Sequence, residues 1–149
     1  MMDSNNVRYK LVSISDEKTA NNLEGIVSGQ LSEETLKFQY RIETVVKTED
    51  NLIVVVPSVR YLLNDSVIFK SSVRLSYSVA PIDTVIDVDR VNKRLNLKVD
   101  IIPTLLVCSY NTLRGIVYSH TLSTPLEKFP IPLVGVVELL EKNGISVED

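Results

Sequence analysis

The sequence predicts an α+β domain in which an antiparallel β-sheet meander precedes two C-terminal helices. Three observations carry that reading. The chain holds 22 Val, 12 Ile and 18 Leu against 2 Ala, an excess of β-branched residues over the best helix former. Several segments alternate apolar and polar residues with the period of a half-buried strand. Helical spacing of apolar residues appears only after residue 103. At 149 residues the chain fits one domain, 1–149, large enough to close a core of its own.

Taken in order, Val7–Ile14 reads as a first strand, and the polar stretch Asp16–Ser32, with two glycines, reads as a long loop or crossover. Leu36-Lys37-Phe38-Gln39-Tyr40-Arg41-Ile42-Glu43 places every even residue on an apolar face and every odd one on a polar face. After a turn at Glu49-Asp50-Asn51, Leu52–Val56 is apolar on both faces, and Pro57 marks a bulge or an edge position. The turn Asn64-Asp65-Ser66 opens a second long alternation, with Val67, Phe69, Val73, Leu75, Tyr77 and Val79 opposite Lys70, Ser72, Arg74, Ser76 and Ser78. Val85–Asp89 and Leu95–Ile101 flank Asn92-Lys93 as a further hairpin, with Leu95, Leu97, Val99 and Ile101 facing one way.

Pro103 starts the first helix, whose residues Leu106, Tyr110, Leu113 and Val117 recur at spacings of four, three and four along one face. Thr124-Pro125-Leu126-Glu127 has the form of a capping box around a short turn that Pro130 stops. The last helix, Leu133–Lys142, carries Leu133, Val137 and Leu140 on one face and ends at Asn143-Gly144, and the final five residues are expected to fray.

Catalytic chemistry finds little support. The single histidine, His120, is in line with the apolar face of the first helix and reads as a partly buried helix-end residue; Cys108, the only cysteine, reads as a small packed thiol. No G-x-S-x-G, G-x-G-x-x-G or Walker-type motif is present, and one His with one Cys cannot build a zinc site. The expectation is therefore a non-enzyme without cofactor or metal. A net charge of −3 and the lack of any basic run argue against a nucleic-acid binder. The polar, acidic Met1–Asn6 lacks the form of a secretory signal, and no apolar run approaches the roughly 20 residues of a membrane span. With one cysteine no disulfide can close within the chain, so a cytoplasmic protein without membrane insertion is expected. The broad apolar sheet face exceeds what two or three short helices can cover, which predicts an interface, either between subunits or with a client.

Between Ile101 and Gly144 the sequence resembles the C-terminal part of the SecB family of protein-export chaperones. The resemblance rests on Ile102-Pro103-Thr104-Leu105-Leu106, on Tyr110 followed by Arg114-Gly115-Ile116 in the first long helix, and on Thr121, Thr124-Pro125-Leu126 and Phe129-Pro130-Ile131-Pro132-Leu133 before the last helix. It implies a SecB-like fold of a four-stranded antiparallel sheet and two helices, assembled as a homo-oligomer, dimer or tetramer. It implies an ATP-independent holdase that binds unfolded polypeptide clients or preproteins in an apolar groove. Tyr118, Leu126, Phe129 and Ile131 match the family's helix-to-linker region and are the peptide-binding candidates, although their periodicity suits core positions equally. A structural or adaptor subunit of the same fold, serving one dedicated partner such as a toxin–antitoxin or secretion component, is the rival. A small-ligand or enzymatic domain would need a polar cluster that the sequence does not show.

Overall fold

The computed structural model describes residues 8–80, 82, 86–89, 91, 94–97 and 101–148. The alternation after Leu36 becomes strand β2 (Leu36–Lys47), in which Ile42, Thr44 and Val46 are buried while Lys37, Gln39, Arg41 and Glu43 point away. Strand β3 (Leu52–Leu63) pairs antiparallel with β2 in unbroken register, from Leu36 opposite Leu63 to Lys47 opposite Leu52. Two residues, Asn64 and Asp65, turn the chain into β4 (Ser66–Ala80) with φ of 51° and 66°. Left-handed backbone at both positions gives the mirror-image turn that matches strand twist, and Asn and Asp tolerate it. The meander of β2, β3 and β4 is thus as expected.

Pro57 neither bulges the sheet nor lies at its edge. It faces Ile42 in the interior strand β3, and the ladder to β4 skips Val56 and Pro57 before resuming in the same register at Ser58 opposite Ser72. The missing prolyl N–H costs a ladder bond without shifting the pairing.

The first strand is longer than expected. β1 (Arg8–Asn21) pairs antiparallel with β4 along its whole length, so the first six residues of the expected loop Asp16–Ser32 are strand. Register shifts at Leu11/Ser13 and Ser15/Lys18 absorb Val12 and the pair Asp16-Glu17, with Asp16 at φ 51°. These bulges broke the alternation that would have revealed the strand.

After Ile82, β5 (Ile86–Asp89) and β6 (Arg94–Leu97) form a separate two-stranded antiparallel hairpin, in agreement with the sequence. Val85, Asn92, Lys93, Lys98, Val99 and Asp100, and the side chains of Leu95 and Leu97, lie outside the described residues. Ile101 belongs instead to the start of helix α1 (Ile102–Thr121), where it is the buried N-cap residue and Pro103 occupies the first turn. The predicted stripe Leu106, Tyr110, Leu113 and Val117 is buried, and Tyr77 and Ser109 join β4 to α1 through a buried 2.8 Å hydrogen bond. Thr124 caps the 3₁₀ turn Pro125–Lys128 by accepting the Leu126 N–H at 3.2 Å.

The C-terminus departs from the sequence reading in three ways. Helix α2 spans only Val136–Lys142, its start fixed by the Gly135 N–H donating to Glu138 at 3.3 Å. Its buried residue is Leu139, whereas Leu133, Val137 and Leu140, the face expected to pack, are exposed. The expected frayed tail is β7 (Asn143–Glu148), which pairs with β2 in parallel, Ile42 opposite Asn143 through Lys47 opposite Glu148. The sheet is therefore five-stranded and mixed, in the order β1-β4-β3-β2-β7, and mostly rather than purely antiparallel.

Both helices cover one face of this sheet. The core joins Ile42, Val46, Ile53, Val55, Val59, Phe69, Val73, Leu75 and Val79 of the sheet to Leu105, Leu106, Leu113 and Val117 of α1 and to Leu139 of α2.

Candidate functional site

Three surfaces could do work, and strand and helix periodicity positions each. The first is a groove between α1 and the linker that follows it. The linker carries Pro125, Pro130 and Pro132 and therefore has few N–H groups with which to build its own hydrogen-bonded structure. Its carbonyls are instead held by side chains. The Tyr61 hydroxyl donates to the Phe129 carbonyl at 2.5 Å, Arg114 Nε to the Ile131 carbonyl at 3.3 Å, and the Tyr110 hydroxyl to the Pro132 carbonyl at 3.0 Å. Burial pushes the Tyr61 hydroxyl pKa up to about 12, and burial likewise raises that of Tyr110, against the opposing pull of the Arg114 charge. Beneath the linker, Phe38, Tyr40, Tyr61 and Phe69 run as an aromatic row across three strands, and Tyr40 meets Tyr110 edge-on at 5.7 Å.

The groove itself, about 280 Å³, is lined by Asn111, Arg114, Gly115, Val117, Tyr118 and Thr121 of α1 and by Pro130 and Ile131. Of the four residues singled out in the sequence, it brings together Tyr118, 55% exposed, and Ile131, whose side chain is otherwise buried. Leu126 is fully buried in the core, and Phe129 is half-buried against it. A β-carbon at Gly115 would meet nothing within 4 Å. Gly115→Ala is accordingly expected to stabilise α1 by about 0.8–1 kcal/mol, read as a higher urea midpoint.

The second surface is the β1 edge of the sheet, opposite the edge formed by β7. Among the described residues β1 pairs only with β4, and its register places Tyr9, Leu11 and Ile14 on the helix-bearing face but beyond the helices' reach. With the bulged Val12 these side chains are 44–51% exposed. The residue pattern marks a strand here but not its exposure, which depends on where α1 stops covering the sheet.

The third surface is the sheet face turned away from the helices. β1 contributes Arg8, Lys10 and Lys18 to it, β2 Lys37, Arg41 and Lys47, β3 Arg60, and β4 Lys70 and Arg74. These are nine of the 16 basic residues in the chain; the acidic side chains at the same strand positions are Glu43, which pairs with Arg41 at 3.2 Å, and Glu148 of β7 opposite Lys47, while Asp65 of the β3–β4 turn meets Lys37 at 3.4 Å. Ser58, Ser72 and Gln39 lie between the cations at one end of this face and Val45, Leu52, Val54 and Val56 at the other, where Val54 is buried; a concavity of about 830 Å³ is lined by the cations Lys18, Arg41, Arg60, Lys70 and Lys142, by Gln39, Ser58 and Ser72, and also by Glu17 and Tyr40. The lack of a basic run in the sequence is no guide to this face, because the cations are spaced two apart within strands and gathered only by strand register.

The residues weighed for chemistry stand apart from one another. His120 is half-exposed at the end of α1, with Nε2 2.7 Å from Glu17 Oε1. Cys108, expected to be packed, is exposed on α1. Among the described residues no three His, Cys, Asp or Glu side chains gather as metal ligands, and no helix is long and apolar enough to cross a membrane. No protein-family model matches the chain, and no curated protein matches it.

Proposed function

We propose that this chain is an ATP-independent holdase with a SecB-like fold, working in the cytoplasm as a homo-oligomer and capturing unfolded or preprotein polypeptides on apolar surface. The open edge of β1 is the observation that carries this reading. An unfolded segment can add to its outer backbone edge by main-chain hydrogen bonds, which any sequence supplies, while Tyr9, Leu11 and Ile14 bury apolar client side chains. Such burial is worth about 25 cal/mol per Å² and has no directional requirement, so specificity is broad and nucleotide is unnecessary. The groove holding Tyr118 and Ile131 offers a second, smaller contact.

A second observation favours the adaptor reading. Leu133 just before α2, Val136, Val137 and Leu140 on α2, and Ile145 on β7 are exposed, an apolar surface suited to a permanent partner. Light scattering from a chemically unfolded client, diluted with and without the protein and without nucleotide, separates the two. Suppression near one oligomer per client is expected, reduced several-fold by Ile14→Asp and little changed by Val137→Asp. No suppression by folded, oligomeric protein would overturn the holdase reading in favour of the adaptor.

A further inference from the structure

We infer that the outer sheet face is a docking surface for an acidic, unstructured polypeptide segment of a partner protein. The inference is independent of the polypeptide-capture reading, since it uses the opposite face of the sheet and charge instead of apolar area. Register places Arg60 directly opposite Lys70, both exposed. Like charges facing across adjacent strands destabilise a sheet, and nothing in the described residues neutralises Lys70. Arg60 is also oriented, its Nε donating to Gln39 Oε1 at 2.5 Å, which leaves the rest of the guanidinium free to meet a carboxylate. Two residues further along β4, Lys18 and Arg41 flank Ser72 and Ser58, so the concavity offers cations with hydroxyl donors between them.

The occupant follows from what this face lacks and from what surrounds it. The one aromatic residue lining the concavity is Tyr40, whose ring is already engaged by Lys142 at 4.6 Å, by Phe38 and by Tyr110, so the bases of a single-stranded nucleic acid would lack a free row of rings to stack on. Taking the nine cations with Glu43 and Glu148 out of the formal charge of −3 leaves −10 on the rest of the chain. A long polyanion would run from the basic face into that repulsive surround, whereas a short acidic segment ends on the face and feels charges beyond the screening length of about 8–10 Å only weakly. Alternate residues of an extended chain lie roughly 6.8 Å apart, close to the separation of the two basic rows, since each row is two residues further along the strands.

The test is fluorescence anisotropy with a labelled alternating Glu/Ser peptide of about ten residues, long enough when extended along the strands to pass both basic rows. Binding is expected to weaken steeply between about 50 and 200 mM salt. Lys70→Glu is expected to lower affinity about tenfold or more and to raise the melting temperature, because it turns the Arg60 repulsion into a cross-strand ion pair. Lys128→Glu, the same charge change on the linker, is expected to leave binding within about twofold. A destabilised Lys70→Glu protein would contradict the repulsion argument, and Lys18→Glu then reads the binding separately. Salt-insensitive binding, equal binding by Lys70→Glu, or stronger binding of oligothymidylate than of the peptide would each overturn the proposal.

Discussion

Leu113→Ala is expected to destabilise the protein by about 2–5 kcal/mol, the cost of truncating a fully buried leucine and leaving a cavity. Leu113 has no exposed surface and lies on the α1 stripe that closes the core over the sheet. For a chain of this size the melting temperature should fall by about 4–20 °C. Leu140→Ala, the same substitution on α2, should change stability by no more than about 0.5 kcal/mol. The two leucines carry equal weight in the sequence, since each belongs to a face that helical spacing marks as core. Leu140 is 40% exposed in the structure, and Leu139 beside it is buried. Urea midpoints for the two variants therefore test the docking of α2 directly. A loss for Leu140→Ala approaching that of Leu113→Ala would mean that the helix packs through the face its spacing suggests, or that a second subunit covers it.

That contrast shows where periodicity decides and where it does not. On α1 only one face is apolar, so the spacing of Leu106, Tyr110, Leu113 and Val117 has one solution. From Leu133 to Leu140 the apolar residues occupy every side of a short helix, and spacing cannot choose among them. The choice falls to the anchor at Gly135 and Glu138 and to the space left over the core for Leu139. Strand β2 was legible because it alternates without interruption, and β1 was half hidden because Val12 and Asp16-Glu17 interrupt its period. β7 carries only Ile145 and Val147 as strand formers; its pairing depends on β2 presenting a free edge, which is a tertiary fact. The candidate surfaces follow the same division. Tyr118 and Ile131 could be brought to one groove only by the linker's return across α1, and the basic face exists only once the register of four strands is known.

Removing the hydroxyls of Tyr61 and Tyr110 together should loosen the linker and flatten the alkaline limb of the stability profile. Each hydroxyl serves a linker carbonyl, Phe129 for Tyr61 and Pro132 for Tyr110. Loss of a buried donor leaves its acceptor unsatisfied, at about 1–3 kcal/mol per site, so Tyr61→Phe and Tyr110→Phe should each lower the urea midpoint at neutral pH. The pH dependence follows from protonation. Both tyrosines ionise above their ordinary value of 10.0, Tyr61 at about 12, and burial is the main cause for each. Between pH 10 and about 12 the unfolded chain therefore releases its tyrosine protons while the folded chain retains them. The stabilising contribution is complete below pH 10 and is lost as pH rises towards about 12, continuing beyond that for Tyr110. Lysines titrate in the same range, so the informative quantity is the difference between the parent and the double Phe variant, whose remaining groups are unchanged. Urea midpoints measured from neutral pH upward should converge above pH 10, because the parent loses what the variant never had. Parallel profiles would show that these hydroxyls are not buried in solution, and with that the clamp holding the linker against α1 would be lost as an explanation for the groove.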